Sequence, residues 1–376
     1  MRNRVFGWLV FLMTVSCAVG LSAQTSQDAP VERGSFAGAV YVMTNAADGN
    51  GVMVFDRLAD GRLVPARTVS TGGAGTGAGL GSQGGLVLSR NERWLLAVNA
   101  GSDSISILEI RRRGLRLVDV QPSGGTRPVS VTENHGVVFV LNAGSDNISG
   151  FTLGRDGHLA PIDGSTRSLS GTATDAPQVA FSPGGDILIV SEKATNKIDT
   201  VVVNRDGVAG EPRIQDSQGT TPFGFAFGKR DQLFVSEAFG GADNASATSS
   251  YEIDDQGVIA TISGSIGTNQ TAACWVAVTP DGRFAYTSNT GSGSISGYAI
   301  DFDGGIELLD ANGQTALTGD SSSPTDLALI DTGQFLYSLN SGTGTIGAFR
   351  VRSNGSLVPL PFASGLPVGA TGIAAR

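Results

Sequence analysis

The strongest constraint in this chain is a phrase that recurs along its whole length. Four segments carry it clearly: "RWLLAVNAGSDSISILEI", "GVVFVLNAGSDNISGFTL", "RFAYTSNTGSGSISGYAI" and "QFLYSLNSGTGTIGAFRV". Each has an apolar run, an Asn, a small polar loop, an Ile and a second alternating run. "DILIVSEKATNKIDTVVV", "QLFVSEAFGGADNASATSSYEI" and an initial "AVYVMTNAADGNGVMVFDRL" are weaker copies. The marker residues are Asn45, Asn99, Asn142, Glu192, Glu237, Asn289 and Asn340, spaced at 54, 43, 50, 45, 52 and 51 residues. Repeats of this length signal stacked or radial architectures.

Each unit contains four strand signals. A short apolar run such as "PQVAFS", "FGFAFG" or "WVAVTP" precedes the two runs of the phrase. A fourth strand follows a tight turn: "LADGRLVPA", "GRDGHLAPI", "NRDGVAGEP", "DDQGVIATI", "RSNGSLVPL". Asp-Gly and Asn-Gly between strands suit the positive φ of a hairpin turn. Four antiparallel strands repeated radially make a β-propeller, here all-β with seven blades. Composition agrees, with 54 glycines in 376 residues and only 16% charged residues. The first unit lacks an inner strand, and the chain end "ATGIAAR" reads as one without a home. It is expected to complete blade 1 and remove the open sheet edge.

The stretch "GLGSQG", Gly79 to Gly84, matches the dinucleotide pattern G-x-G-x-x-G. That pattern needs a preceding strand and a following helix whose N-terminus holds the pyrophosphate. "LVLSRNERWLLAVN", a pair of strands, follows instead, so the match is a coincidence in a glycine-rich connector. Consecutive glycines there expose backbone N–H groups that could face an anion.

The N-terminus reads as an export signal. "MRNR" supplies positive charge, "VFGWLVFLMTVSCAVGL" an apolar core and "SAQ" a small-residue exit with a cut near Ala23. The expected organisation is a signal peptide over 1–23, a linker over 24–36 and the propeller over 37–376, in a secreted or periplasmic protein. Lipidation at Cys17 is the weaker alternative, because "TVSC" lacks the usual Leu. The apolar core is short for a membrane span, so no transmembrane segment is expected in the mature chain. Removal of the leader leaves Cys274 as the lone cysteine, expected to be a buried thiol. Net charge is −9, and the one dense basic run, Arg111-Arg112-Arg113, sits where a turn between strands is expected. Nucleic acid is therefore not an expected partner.

A propeller carries ligands mainly on the face formed by outer-to-inner connectors and by second-to-third-strand loops. Both histidines, His135 and His158, fall in turns of the opposite face, which removes His-based nucleophilic chemistry and a His-rich metal site. "DFDGG", Asp301 to Gly305, resembles a calcium loop but occupies the hairpin-turn position. No cofactor or metal is called for. On the ligand face, Asn99, Asn142 and Asn289 are candidate binding residues. Glu192 and Glu237, on adjacent blades, could divide acid and base roles if their environments separate their pKa values; the plainer role is to accept backbone N–H bonds. Arg127, Arg167, Asp175, Gln178, Gln270 and Trp275 come from other loops of that face, with Lys193 and Lys197 following Glu192.

With these blade phrases, "PQVAFSPGGDILIVSEKATNKI", "TPDGRFAYTSNTGSGSISGYAI" and "TGQFLYSLNSGTGTIGAFRV" above all, the chain from about Gly38 to its end resembles the seven-bladed lactonase family. That family includes propeller-type 6-phosphogluconolactonases and fungal carboxymuconate-lactonizing enzymes. Its members typically carry Pro-Arg-His on the fourth inner strand, where this chain has Pro177-Gln178-Val179. An Asn-Glu pair follows, here Ser191-Glu192. The sixth blade typically offers Asp and His, then Arg; this chain has Trp275, Ala277 and Thr290. The third-blade His is replaced within "TRPVSV". Glu192 alone carries over. The resemblance implies lactone hydrolysis, with Glu192 as base, Glu237 as second acid or base, and Arg127 or Lys193 at the oxyanion. Few cations surround the mouth, so the expected ligand is a weakly charged small-molecule lactone or carbohydrate, with Gln178 and Trp275 among its contacts. A non-enzymatic binding propeller is the alternative, and the chain is expected to be a monomer.

Overall fold

Alternating apolar strands broken by Gly turns should pair locally, and they do, as seven antiparallel sheets arranged as blades. The structure, a computed structural model, describes Met1 and residues 36–112 and 114–376. The leader and linker expectations fall on residues 2–35 and lie outside the described residues, as does Arg113.

Blade 1 joins the first and the last of the described strands. Its strand order from the inside is Thr371–Ala375, Phe36–Met43, Gly51–Leu58, Leu63–Ser70, with Tyr41 opposite Ala374 and Val42 opposite Ile373. The expected closure by the C-terminal strand is therefore found. Arg57 secures it, donating from Nε to the Arg376 carbonyl at 3.0 Å and from Nη2 to Ala37 at 2.9 Å. Blades 2 to 7 follow in chain order with four strands each, except that blade 6 adds a short segment, Ala316–Leu317, to its third strand.

The core lies between blades. Second strands such as Trp94–Asn99 and Phe335–Asn340 are buried at every residue, because a neighbouring sheet covers each face. Outer strands such as Leu63–Ser70 are largely exposed. Hairpin-turn glycines are required where one blade meets the next. Gly157 and Gly355 have φ of +90° and +84°, and a Cβ there would lie 2.5 Å from Trp94 and 2.6 Å from Phe284 of the preceding blade. Tyr286 donates to the Gly355 carbonyl at 2.7 Å across the second of these seams, and Tyr337 to the Gly61 carbonyl at 2.8 Å across the seam of blades 7 and 1.

The faces divide as expected. His135 and His158 lie in turns between Pro128–Asn134 and Val137–Asn142, and between Asn147–Leu153 and Leu159–Ser168. Asp301 folds its own turn, its Oδ1 accepting from the Asp303 and Gly305 N–H groups. Cys274 is buried and free, and burial pushes its thiol up to about 12. Among the described residues no helix is long and apolar enough to cross a membrane.

Candidate functional site at the channel mouth

The connector from blade 1 to blade 2 decides what the channel mouth looks like. It runs from 71 to 85, three times the length of connectors 123–127, 217–221 and 268–272. Residues Thr76 to Gly79 are exposed, whereas Leu80 and Ser82 are 5% and 2% exposed. The segment from Gly81 to Gly84 touches inner strands of four other blades. Ser82 Oγ donates to the Val129 carbonyl at 2.8 Å, and the Val131 N–H donates to Gly84 at 2.8 Å. The Gln83 N–H donates to Pro177 at 3.0 Å. The Gln83 side chain pairs with both backbone groups of Val276, at 2.7 and 3.0 Å. At Gly224 of blade 5 a Cβ would stand 2.1 Å from Gln83 Oε1. A segment that meets blades 3, 4, 5 and 6 lies across the channel. The glycine-rich stretch therefore acts as a plug, and "GLGSQG" opens no helix.

Two side chains, from blades 4 and 6, grip this plug. Lys193 Nζ donates to the Gly81 carbonyl at 3.1 Å, and Trp275 Nε1 donates to the Ser82 carbonyl at 2.8 Å. Lys193 also pairs with Asp175 at 3.1 Å and lies 4.7 Å from the Phe223 ring centre. Phe223 and Trp275 pack at 4.9 Å, forming the apolar wall. The loops are held by local chemistry. Asp146 accepts from the N–H groups of Ala173 and Thr174 at 2.8 and 3.0 Å, which places Asp175. The Ala194 N–H donates to the Thr174 carbonyl at 3.0 Å, which places Lys193 beside it. The Asp175 carboxylate is 56% exposed and the Lys193 side chain 15%.

The other expected residues do not meet there. Glu192 and Glu237 are fully buried. Glu192 accepts from the Ser170 N–H at 3.0 Å and from the hydroxyls of Ser170 and Thr195, all on its own blade's loops. Glu237 accepts from Gly219 N–H at 2.9 Å, Ser249 at 2.5 Å and Ser265 at 2.6 Å. Ser249 and Ser265 lie on the third and outer strands, so this carboxylate points away from the axis, and burial raises its pKa. In this arrangement the two carboxylates cannot divide acid and base roles at the mouth; they take the plainer role of loop acceptors.

The asparagines do the same. Asn99, Asn142 and Asn289 are fully buried, each donating to a Ser seven residues on: Ser106 at 2.7 Å, Ser149 at 3.4 Å and Ser296 at 2.9 Å. They brace the turn between second and third strands and form no open ring. Gln178 pairs with the backbone of Phe225 on the next blade at 3.0 and 2.7 Å, joining two inner strands. Arg127 is exposed, with its backbone N–H on Asp103. Arg167 reaches outward to the Gly210 carbonyl and Lys197 to Asp216. Gln270 bonds Asn312 and Ser294. Of the four cations expected at the mouth, Lys193 reaches it.

In blade 4 the Ser partner is replaced by an acid. Asp199 is fully buried, and neither of its oxygens has a hydrogen-bond donor. The Ser170 N–H nearby is already given to Glu192. Burial, then the Glu192 charge, pushes Asp199 up to about 8. The two carboxyls can be satisfied together by sharing one proton. Sequence reasoning missed this pair, Phe223 and the plug. The signals were the Asp at the Ser position and the length of connector 71–85.

Comparison with known proteins agrees with this architecture. The family model described as "Lactonase, 7-bladed beta-propeller" matches residues 38–173 and 245–369. The chain belongs to that family. No curated protein matches the sequence. Solved structures share the fold. A protein from Lactobacillus plantarum is 19% identical, with TM-score 0.72, covering 90% of this chain and 99% of its own. A candidate 6-phosphogluconolactonase from Bacteroides fragilis is 17% identical, with TM-score 0.71 and coverages of 93% and 100%. The Pseudomonas aeruginosa periplasmic gluconolactonase PpgL is 16% identical, with TM-score 0.69 and coverages of 89% and 98%.

Proposed function

We propose that this protein is an exported, monomeric hydrolase that opens the lactone of a sugar acid or small organic acid at the mouth of blades 4 to 6. Family membership and the names of two structural neighbours support the reaction class. The charged leader with its apolar core supports export. The observation that carries the site is Lys193, 3.1 Å from Asp175 and beside the Phe223–Trp275 wall. A cation and a carboxylate in contact supply the two things lactone opening needs. Asp175 takes a proton from the attacking water as the new C–O bond forms. Once released from the Ser82 and Gly81 carbonyls they hold in the free protein, the Trp275 N–H and the Lys193 ammonium stabilise the oxyanion. The ring C–O bond then breaks, and the alkoxide receives the proton held by Asp175, leaving a hydroxy acid.

The test is a panel of aldonolactones and small organic-acid lactones with four proteins: unaltered, Lys193→Met, Asp175→Asn and Glu192→Gln. Loss of the cation is expected to lower kcat/KM by about 10²–10³, and loss of the base by about 10²–10⁴. Glu192→Gln is expected to change stability while leaving the shape of the pH–rate profile. Absence of turnover above buffer across the panel would overturn the hydrolase reading and favour a binding propeller.

A further inference from the structure

The plug does something that connectors of ordinary length cannot do: it offers two consecutive carbonyl oxygens to the donors of the proposed site. Gly81 O is held by Lys193 and Ser82 O by Trp275. Gln83 then seals the edge of blade 6 through both backbone groups of Val276. The anchored part is preceded by Thr76 to Gly79, which are exposed, and a Cβ at Gly79 would meet nothing within 4 Å. Gly77 and Gly81 have φ of +75° and +61°, conformations glycine adopts at no steric cost. The segment therefore has an outer stem that Asn45 of blade 1 holds at Thr76 and Ala78, and beyond it a short inner anchor.

Resting on the lactonase reading, we infer that Gly81 to Gln83 fills the ligand position and that the true occupant is a polyhydroxy acid or its lactone. Its paired oxygens, carboxylate or ring ester, replace Gly81 O at Lys193 and Ser82 O at Trp275, and its carbon face lies on Phe223 and Trp275. Binding requires the anchor to leave, so ligand and loop compete. The measured affinity is the intrinsic affinity reduced by the open fraction. A variant that weakens the anchor without touching Lys193 or Trp275 must bind more tightly.

The probe is D-gluconate, a stable acid that is not turned over. Its binding is followed by the Trp275 indole N–H resonance and by Trp fluorescence in a Trp94→Phe background. Gln83→Ala removes two hydrogen bonds from the anchor and is expected to tighten gluconate binding about tenfold. Leu80→Ala, which trims a buried side chain of the anchor, is the second variant and is expected to act in the same direction. Lys193→Met is expected to abolish binding in every background. In the unaltered protein, saturating gluconate is expected to shift the Trp275 indole signal and expose residues 80–83, buried or half-buried in the free protein, to protease. Equal affinity in the unaltered protein, Gln83→Ala and Leu80→Ala would overturn the inference, as would gluconate binding with the plug still protected. Absence of gluconate binding in all three would overturn it too. Lactone turnover unaffected by Gln83→Ala would leave the hydrolase reading standing and remove the plug from it. Gluconate-driven release without turnover of any lactone would remove hydrolysis and keep the site.

Discussion

Replacing Asp199 by Asn should make this protein more stable at neutral pH, although it alters a fully buried residue. Asp199 lies against Glu192 with no donor for either of its oxygens, and its carboxyl is pushed from an ordinary 3.8 up to about 8, first by burial and then by the Glu192 charge. A carboxyl whose folded value is raised holds a proton that the unfolded chain has released. Its contribution is therefore most favourable below 3.8 and is lost as pH climbs toward 8. Holding that proton at pH 7 costs about 4 kcal/mol, at about 1.4 kcal/mol per pH unit. Asn carries a permanent donor of the same shape and can give it to Glu192, as Asn99 gives one to Ser106 in blade 2. Allowing for partial relaxation of the surrounding loop, the variant should gain about 2–4 kcal/mol at pH 7. The gain should shrink to near zero by pH 4. Denaturant titrations of both proteins at half-unit intervals from pH 4 to 8.5 give the difference directly. A difference that does not change with pH would show that Asp199 does not hold the extra proton, and the shared-proton account of blade 4 would fail.

Other consequences follow from the ring. Asp326 accepts from the Leu327 N–H and, across the closure, from Ile373 N–H, and burial alone pushes it up to about 8. By the same sign, Asp199→Asn should still lose stability from pH 4 to 8 in equilibrium unfolding, with a shallower slope; a flat profile would contradict this. Gly157→Ala should cost about 1–3 kcal/mol in denaturant unfolding, from positive φ and from overlap with Trp94; a neutral result would refute the seam geometry. Removing residues 371–376 leaves the Phe36–Met43 strand as an open inner edge, and size-exclusion chromatography should show aggregation or unfolding. A stable monomer after that truncation would refute the closure argument. Tyr337→Phe should cost about 1 kcal/mol by the same unfolding measurement, since the Gly61 carbonyl loses its partner across the blade 7 to blade 1 seam.

How far the sequence could be read depends on the range of each interaction. Strand pairing within a blade joins neighbours in sequence, so alternation and the Asp-Gly and Asn-Gly turns made all seven blades legible. The final strand was legible too, because "ATGIAAR" has an inner-strand pattern and blade 1 lacked one. The site was not legible, for two separate physical reasons. The marker residues repeat because they brace a turn, and a periodic polar residue looks the same whether it faces a ligand or its own backbone. The deciding sign was the Ser seven positions on from Asn99, Asn142 and Asn289, which commits each side chain inward. The plug, by contrast, is made by contacts 193 residues apart, Gln83 with Val276 and Ser82 with Trp275, and no local pattern encodes them. What does encode them is surplus. Five of the steps between blades take five or six residues and one takes nine, whereas connector 71–85 has fifteen. In a closed repeat, chain length beyond what closure requires must go somewhere, and its apolar residue must be buried. Leu80 and the glycines around it allow the excess to enter the channel, so departure from the repeat marks the candidate site better than the repeat itself does.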